Sequence, residues 1–291
     1  MRRLLIVGCG DVGLRMAPAL AGRYRIYALM HTQDKHTLLR SHGLVAVPGD
    51  LDIPESLDRL GGLAHDVVHL APPPATGDRD TRTANLIRAL GKGGRLPQRL
   101  VYISTSGVYG DCRGEWVTET RRLRPGNARA RRRADAERQL RAWGRTNGVS
   151  VVILRAPGIY AANRLPLERL ASGTPALASE DDPYTNHIHA DDLARIVIAA
   201  LSRGRAGRAY NANDDSGMRM GEYFDLVAER FGLPPPPRVS FREAQTVVPE
   251  NLLSFMRESR RMANGRLKRE LRVRLKYPTV ADALASLETA R

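Results

Sequence analysis

Three glycines close to the N-terminus have the spacing that holds phosphate. Gly8, Gly10 and Gly13 stand in the run Gly8-Cys9-Gly10-Asp11-Val12-Gly13, directly after the apolar Leu4-Leu5-Ile6-Val7. Where such a run joins a strand to a helix, the first glycine permits the tight turn and the second lets backbone N–H groups approach a pyrophosphate. The third lets helix and strand pack closely. The helix N-terminus adds partial positive charge to the anion site. The chemistry expected of Gly8, Gly10, Asp11, Val12 and Gly13 is dinucleotide binding.

The residues that end the second strand choose between dinucleotides. An acid there takes the ribose hydroxyls of NAD, whereas a basic group accommodates the 2′-phosphate of NADP. The segment reads Tyr27-Ala28-Leu29-Met30-His31-Thr32, with no acid before Asp34 and with His31, Lys35, His36 and Arg40 close by. This favours NADP over NAD, and Asp34 is the residue able to reverse the preference. Cys9 and Cys112 form neither a disulfide framework nor a metal-ligand pattern, and the seven histidines fall in no HExxH arrangement, so no metal is expected.

The elements that must position these residues follow from hydrophobic runs. Continuous apolar segments over 4–7, 25–30, 45–47, 66–70, 100–104 and 149–154 read as strands covered on both faces. Helical patterns fall between them over 12–21, 35–42, 54–59, 81–90 and 130–146, with Pro18 expected to kink the first. Strands alternating with helices predict an α/β fold, a Rossmann doubly wound parallel sheet. Beyond Arg155 the pattern loosens into Gly- and Pro-bearing loops, a short helix at 165–171 and amphipathic helices at 191–201 and 221–231. We therefore expect a nucleotide-binding domain of residues 1–155 plus about 186–205. A smaller C-terminal substrate lobe would take about 156–185 and 206–291, over the C-terminal edge of the sheet where ligands of such folds bind.

Composition narrows the class. The 291 residues are 42% hydrophobic, enough for a globular core, and carry a formal charge of +15. That excess is four lysines against 42 arginines, without a helix-turn-helix, zinc-finger or RNP pattern. A dedicated nucleic-acid role is therefore disfavoured, and an anionic small-molecule substrate accounts for the charge as well. No apolar run is long enough to span a bilayer, and the opening apolar stretch is too short for a secretory signal, so no membrane partner is expected. With two unpaired cysteines this points to the cytoplasm.

Further segments now carry a resemblance. Gly49-Asp50-Leu51 resembles the Asp-Leu pair that holds adenine in short-chain dehydrogenases/reductases, and Val67 to Pro74 resembles the fourth-strand segment that runs along the cofactor. Val101-Tyr102-Ile103-Ser104-Thr105-Ser106-Gly107-Val108-Tyr109-Gly110 looks like the Ser-Ser/Thr-x-x-Val-Tyr-Gly segment of the extended branch, which holds nucleotide-sugar epimerases and dehydratases. Arg155-Ala156-Pro157-Gly158-Ile159-Tyr160 is similar to the strand exit that bounds the nicotinamide, and Asn186 to Ala194 to a segment before a late helix. The resemblance covers nearly the whole chain and looks most like the atypical, YeeZ-like members. It implies cofactor contacts from His31, Asp50, Leu51, Leu70, Ala71, Pro72, Arg133, Pro157, Gly158 and Ile159, and substrate contacts from Tyr109, Tyr160, Arg164 and His187. It also implies pairing of some relatives through the helices over 81–90 and 130–146, so a homodimer is allowed.

The same resemblance exposes a departure. The family uses Tyr-x-x-x-Lys on one helix face, the lysine lowering the phenol's pKa for proton exchange. Aligning Glu137 with the family's Lys-x-x-x-Glu puts Arg133 at the lysine position and Arg129 at the tyrosine position, and no tyrosine occurs from Asp111 to Gly158. Arginine does not release a proton near neutral pH. Arg129 can instead clamp a carboxylate or phosphate, with Thr105 as the family's hydroxyl and Arg133 on the nicotinamide ribose. Tyr109, Tyr160, Tyr184, His187 and His189 remain as substitute proton donors. Two functions follow: an oxidoreductase or epimerase with Thr105, Arg129 and Arg133 in its site, or a non-catalytic cofactor-binding sensor or partner-binding protein.

Overall fold

The computed structural model describes residues 1–287. Strand β1 (Arg2–Val7) enters α1 (Asp11–Leu20), followed by β2 (Tyr24–Met30), α2 (His36–Ser41), β3 (Val45–Pro48), a 3-10 turn (Pro54–Leu60) and β4 (Asp66–His69). Then come α3 (Thr81–Gly91), β5 (Arg99–Thr105), β6 (Trp116–Val117), α4 (Ala128–Asn147), β7 (Ser150–Ala156), β8 (Gly158–Tyr160), α5 (Leu167–Ala171) and β9 (Ala176–Leu177). The chain ends with β10 (His187–His189), α6 (Ala190–Arg203), β11 (Ala209–Asn211), α7 (Met220–Phe231), β12 (Arg238–Val239), α8 (Phe241–Val247), α9 (Glu250–Met256), β13 (Arg261–Met262), α10 (Gly265–Leu271) and α11 (Val280–Ala285).

Seven strands form one sheet in the order β11-β7-β5-β4-β1-β2-β3. Every neighbouring pair is parallel. Because side chains alternate across a strand, the apolar runs feed two cores. Leu4, Ile6, Val101, Ile103, Val152 and Leu154 face α1 and α6 on one side. Leu5, Val7, Leu100, Tyr102, Val151 and Ile153 face α3 and α4 on the other. The six strands and the helices expected between them are present, with ends shifted by one or two residues. Helix α1 continues through Pro18 to Leu20.

The expected domain boundary moves. Ala209–Asn211 extends the main sheet beside β7, and Leu267 and Leu271 of α10 pack into the core under α6. Three residues are too short to register as a hydrophobic period, so β11 is invisible without its neighbour. The lobe proper gathers Tyr160, Leu170, Ala176, Tyr223, Phe224, Val227, Val280 and Leu284 into a separate core. It sits at the C-terminal ends of β5, β7 and β8.

Candidate functional site

The cleft along the C-terminal ends of the strands begins at the glycine loop. Gly8 has φ of +83° and a Cβ there would lie 2.5 Å from the backbone N of Ala71, so only glycine allows β1 and β4 to end this close together. A Cβ on Gly13 would meet Cys9 Sγ at 3.0 Å and Ile6 and Leu70 at 3.4 Å, the close packing of helix on strand. At Gly10 a Cβ would meet nothing within 4 Å, because this residue faces open cleft. Gly10 also caps α1 without any side-chain hydrogen bond. Asp80 and Asn127 cap α3 and α4 by accepting from backbone N–H groups. The first N–H groups of α1 are thus left for an anion.

From this loop the cleft runs two ways. One arm, about 370 Å³, is lined by Met30, His31, Thr32 and Lys35 on one side and by Asp50, Leu51, Ala71 and Pro72 on the other. Asp34 is not among its walls. The Asp50 carboxylate accepts from its own loop at Asp52 N, 2.9 Å, and Arg82 pairs with Asp52. The middle of the cleft is bounded by Gly10, Asp11, Val12, Leu70, Ile103, Ile159 and Arg164. Arg164, expected at the substrate, is therefore placed at the glycine loop, 3.6 Å from Asp11. Arg15 also binds Asp11, at 2.9 Å, so the carboxylate that α1 carries in its first turn is countered by two guanidiniums.

Beside this cleft, past Ile103 and Ile159, lies a cavity of about 390 Å³ between the sheet edge and the lobe. Thr105, Arg129, Arg133, Pro157, Gly158 and His187 all line it, so the sequence-derived reaction residues do come together. Thr105 caps the turn after β5, its Oγ1 accepting from Gly107 N at 3.3 Å. Arg133 donates to Ile103 O at 2.9 Å, Tyr102 OH at 3.0 Å and Ala71 O at 3.3 Å, which fixes α4 over the strand ends where the cleft meets the cavity. Arg129 makes no hydrogen bond among the described residues. Its guanidinium lies over the ring of Phe255 at 4.5 Å, and partial withdrawal from water together with the charge of Arg133 holds it below the usual arginine range.

Two expected substrate residues are elsewhere. Tyr109 is buried, donating to Asn211 Oδ1 at 2.6 Å and accepting from Arg155 at 2.9 Å. Arg155 in turn binds Glu137 through two bonds of 3.0 and 2.7 Å, a pair almost wholly removed from water. Burial disfavours the Arg155 charge, but the Glu137 bonds more than restore it. Glu137, the residue that set the register of Arg129 and Arg133, is thus the anchor of α4 on β7. Tyr160 is buried in the lobe core, reaching Thr279 O at 3.4 Å, and serves packing instead of a ligand.

Sequence reasoning missed the far wall of the cavity: Arg169, Tyr223, Phe224, Phe255, Glu258 and Arg260. Arg169 lies over Phe224 at 4.3 Å with its Nε buried and unpartnered. Glu258 accepts from Arg260 at 2.8 Å and from Asn127 at 3.3 Å, and burial raises its carboxyl above the usual range. No spacing in the sequence ties residues 254–260 to Thr105. Only the return of the chain after α9 does. No group of three or more metal-ligating side chains occurs among the described residues, and no helix there is long and apolar enough to cross a membrane.

Comparison with known proteins agrees with this geometry. The family model described as the NAD dependent epimerase/dehydratase family matches residues 4–212, well over half the chain. The dTDP-glucose 4,6-dehydratase of Mycobacterium tuberculosis is 28% identical over 186 residues, covering 56% of this chain and 55% of that protein. A trifunctional UDP-glucose 4,6-dehydratase/epimerase/reductase of Arabidopsis thaliana is 24% identical over 157 residues, 50% of this chain and 24% of its own length. The chain thus spans about half or less of the length of these curated relatives. Among solved structures, a functionally unknown conserved protein from Silicibacter pomeroyi DSS superposes with a TM-score of 0.82 at 29% identity over 98% of this chain and 97% of that one. A dTDP-glucose 4,6-dehydratase from Streptomyces venezuelae with NAD bound gives 0.76 at 24% identity, covering 98% and 95%, a likeness of fold.

Proposed function

The chain belongs to the NAD dependent epimerase/dehydratase family, and from that premise we propose that it is a nicotinamide-dependent oxidoreductase or epimerase acting on the hydroxyl- or carbonyl-bearing carbon of a small anionic molecule, sugar nucleotides included. The observation that carries this reading is the adjacency of two pockets. Ile103 and Ile159 bound the one at the glycine loop, while Gly158 and Arg133, which donates to Ile103 O, line the neighbouring arginine-rich cavity with Thr105 and Arg129.

Gly8, Gly10 and Val12 would hold the pyrophosphate, Asp50, Leu51, Ala71 and Pro72 the adenosine, and Ile159, Gly158 and Arg133 the nicotinamide end. The bound group supplies hydride donation and acceptance. Thr105 offers its hydroxyl proton to a substrate oxygen while Gly107 N fixes its position. Arg129, with its donors uncommitted, takes the substrate's negative charge, and Phe255 holds its plane. NADP is preferred over NAD in this proposal: His31, Thr32 and Lys35 line the adenosine arm, and Asp34 does not. A cytoplasmic location belongs to the same proposal, supported by the buried, unpaired Cys9 and Cys112. Dimerisation through α3 and α4 is opposed by like charge, since Arg131, Arg138 and Arg145 are exposed on α4.

The test is oxidation of NADPH and NADH over a panel of carbonyl compounds matched with and without a carboxylate or phosphate. Turnover confined to the charged members is expected, and turnover indifferent to charge overturns the anionic substrate. One observation favours a second reading, a cofactor-binding sensor without chemistry: an arginine stands where the family's proton-exchanging phenol would be. That reading expects tight cofactor binding by calorimetry with no turnover on any member of the panel.

A further inference from the structure

Five side chains were open as substitutes for the absent phenol, and the structure separates them. Tyr109 is locked to Asn211 and Arg155. Tyr160 is sealed in the lobe core. His189 caps α6, its Nδ1 accepting from Asp191 N at 3.2 Å, and lies against Tyr277. Tyr184 lines the cavity, but its ring is held by the guanidiniums of Arg219 at 4.9 Å and Arg261 at 4.6 Å, on the lobe side.

His187 differs from all four. It is almost fully buried yet lines the cavity, its Nδ1 is buried without a partner, and its other ring nitrogen makes no hydrogen bond among the described residues. A buried imidazole nitrogen such as this Nδ1 is costly unless something binds it. Its place is fixed by backbone: β10 pairs with β8 so that His187 lies opposite Gly158. A Cβ on Gly158 would stand 3.5 Å from His187 Cδ2. Gly158 is the residue that would bound the nicotinamide, so the imidazole stands where the reacting carbon must come. Tyr223 stacks on it at 4.2 Å and Tyr160 meets it edge-on at 6.2 Å, which sets its plane.

We propose that His187 does the work of the missing phenol, as a neutral N–H donor to the oxygen on the carbon that gains or loses hydride. The inference rests on the anionic-substrate reading above. Burial pulls the imidazole down to about 3, so it stays uncharged near neutrality. The groups that face it are Tyr223 from α7 and Tyr160 from β8, both phenols pushed up by burial, with the guanidiniums of Arg129 and Arg169 on the walls of the same cavity. Behind the two phenols the Asp214 carboxyl is itself lifted to about 7 by burial. The one carboxyl on the cavity wall, Glu258, is engaged by Arg260 and Asn127, so no unpaired negative charge facing the imidazole favours the imidazolium. A donor aimed at developing oxyanion charge in a site shielded from water is worth about a hundredfold in rate. Arg129 and His187 then divide the substrate between them, charge to one and reacting oxygen to the other.

The experiment is imidazole ¹⁵N NMR of the full chain loaded with NADPH and titrated with oxamate, a carboxylate bearing a carbonyl oxygen on the adjacent carbon. The His187 signals are identified by their loss in H187Q or H187N. They are expected to report a single neutral tautomer from about pH 5 to about pH 8 and to shift as oxamate binds. H187Q is expected to weaken oxamate about tenfold, as loss of one hydrogen bond would. Oxamate that binds while the His187 signals stay put overturns this inference and leaves the proposed function standing. So does a larger loss in Tyr223→Phe than in H187Q, which would give the role to that phenol. A protein that binds NADPH but not oxamate overturns the anionic carbonyl substrate and this inference together. The spectral readout is made on the parental chain, so it holds even if H187Q folds poorly.

Discussion

The two ends of the cleft are built by different means. At the glycine loop the surface offered to the proposed cofactor is backbone: Gly10 faces open space and α1 begins without a side-chain cap. At the reaction end the surface is side chains, drawn from α4, α5, β10, α7, α9 and the segment before β13. The side chains there fall into two sets. Glu137, Arg155 and Tyr109 are consumed in holding α4 to the sheet, while among the described residues Arg129 makes no hydrogen bond and His187 Nδ1 has no partner. A backbone site needs only glycine and a helix start. A side-chain site needs each group either paired or deliberately spared.

The largest effect expected is on the consumed set. Glu137→Ala leaves Arg155 charged and buried, which costs about 3–5 kcal/mol, read as a fall in urea midpoint. A variant that keeps its stability and loses only cofactor-linked activity would break the division between frame and site. At the backbone end, Gly10→Asp places a carboxylate against the pyrophosphate without a steric clash. A cost of about 4 kcal/mol for like charges near 4 Å predicts loss of cofactor affinity by more than a hundredfold with Tm unchanged. An equal loss of Tm would mean the loop is structural and not a ligand cradle.

A third test uses pH on the wall behind the cavity. Burial lifts the Asp214 carboxyl to about 7, and its backbone N–H donates to His187 O at 2.7 Å. With the folded pKa above the unfolded one, the unfolded chain sheds its proton first as pH rises. Stability therefore falls from about pH 4 to about pH 7, by an amount on the order of 4 kcal/mol. Asp214→Asn should flatten that slope in denaturant titrations, and an unchanged slope would show the carboxyl to be ordinary. Smaller again, Arg129→Met should weaken oxamate about tenfold, the worth of a charge-assisted contact, while leaving NADPH affinity unaltered. The smallest effect is at Lys35, which is exposed: Lys35→Ser should reduce the preference for NADPH over NADH by about threefold, measured as a ratio of dissociation constants.

The legibility of the molecule follows the same division. The six long strands and the helices between them were readable because continuous apolar runs and 3.6-residue periods are properties of contiguous sequence. Arg129 and Arg133 were readable as a pair because i and i+4 fall on one helix face, and both line the same cavity. Beyond that, distance in sequence hid the answer. Arg164 is remote in sequence from both Thr105 and Asp11, and only the path of the loop after β8 puts it at the glycine loop. Tyr109 and Tyr160 were implied as ligands by the resemblance of their segments, and both are buried outside the cavity's lining.

What the sequence by itself determined is the glycine cradle, since its requirements (no Cβ at Gly8, room at Gly10, close packing at Gly13) are written in residue types within six consecutive positions. What only the tertiary structure decided is which protic group the cavity keeps free. That depends on whether each polar group finds a partner, and many partners lie across the fold: Asn211 and Arg155 for Tyr109, Asn127 for Glu258. His187 stands out only once every other claim has been settled, because an unsatisfied hydrogen bond is a property of the folded neighbourhood and of no stretch of chain.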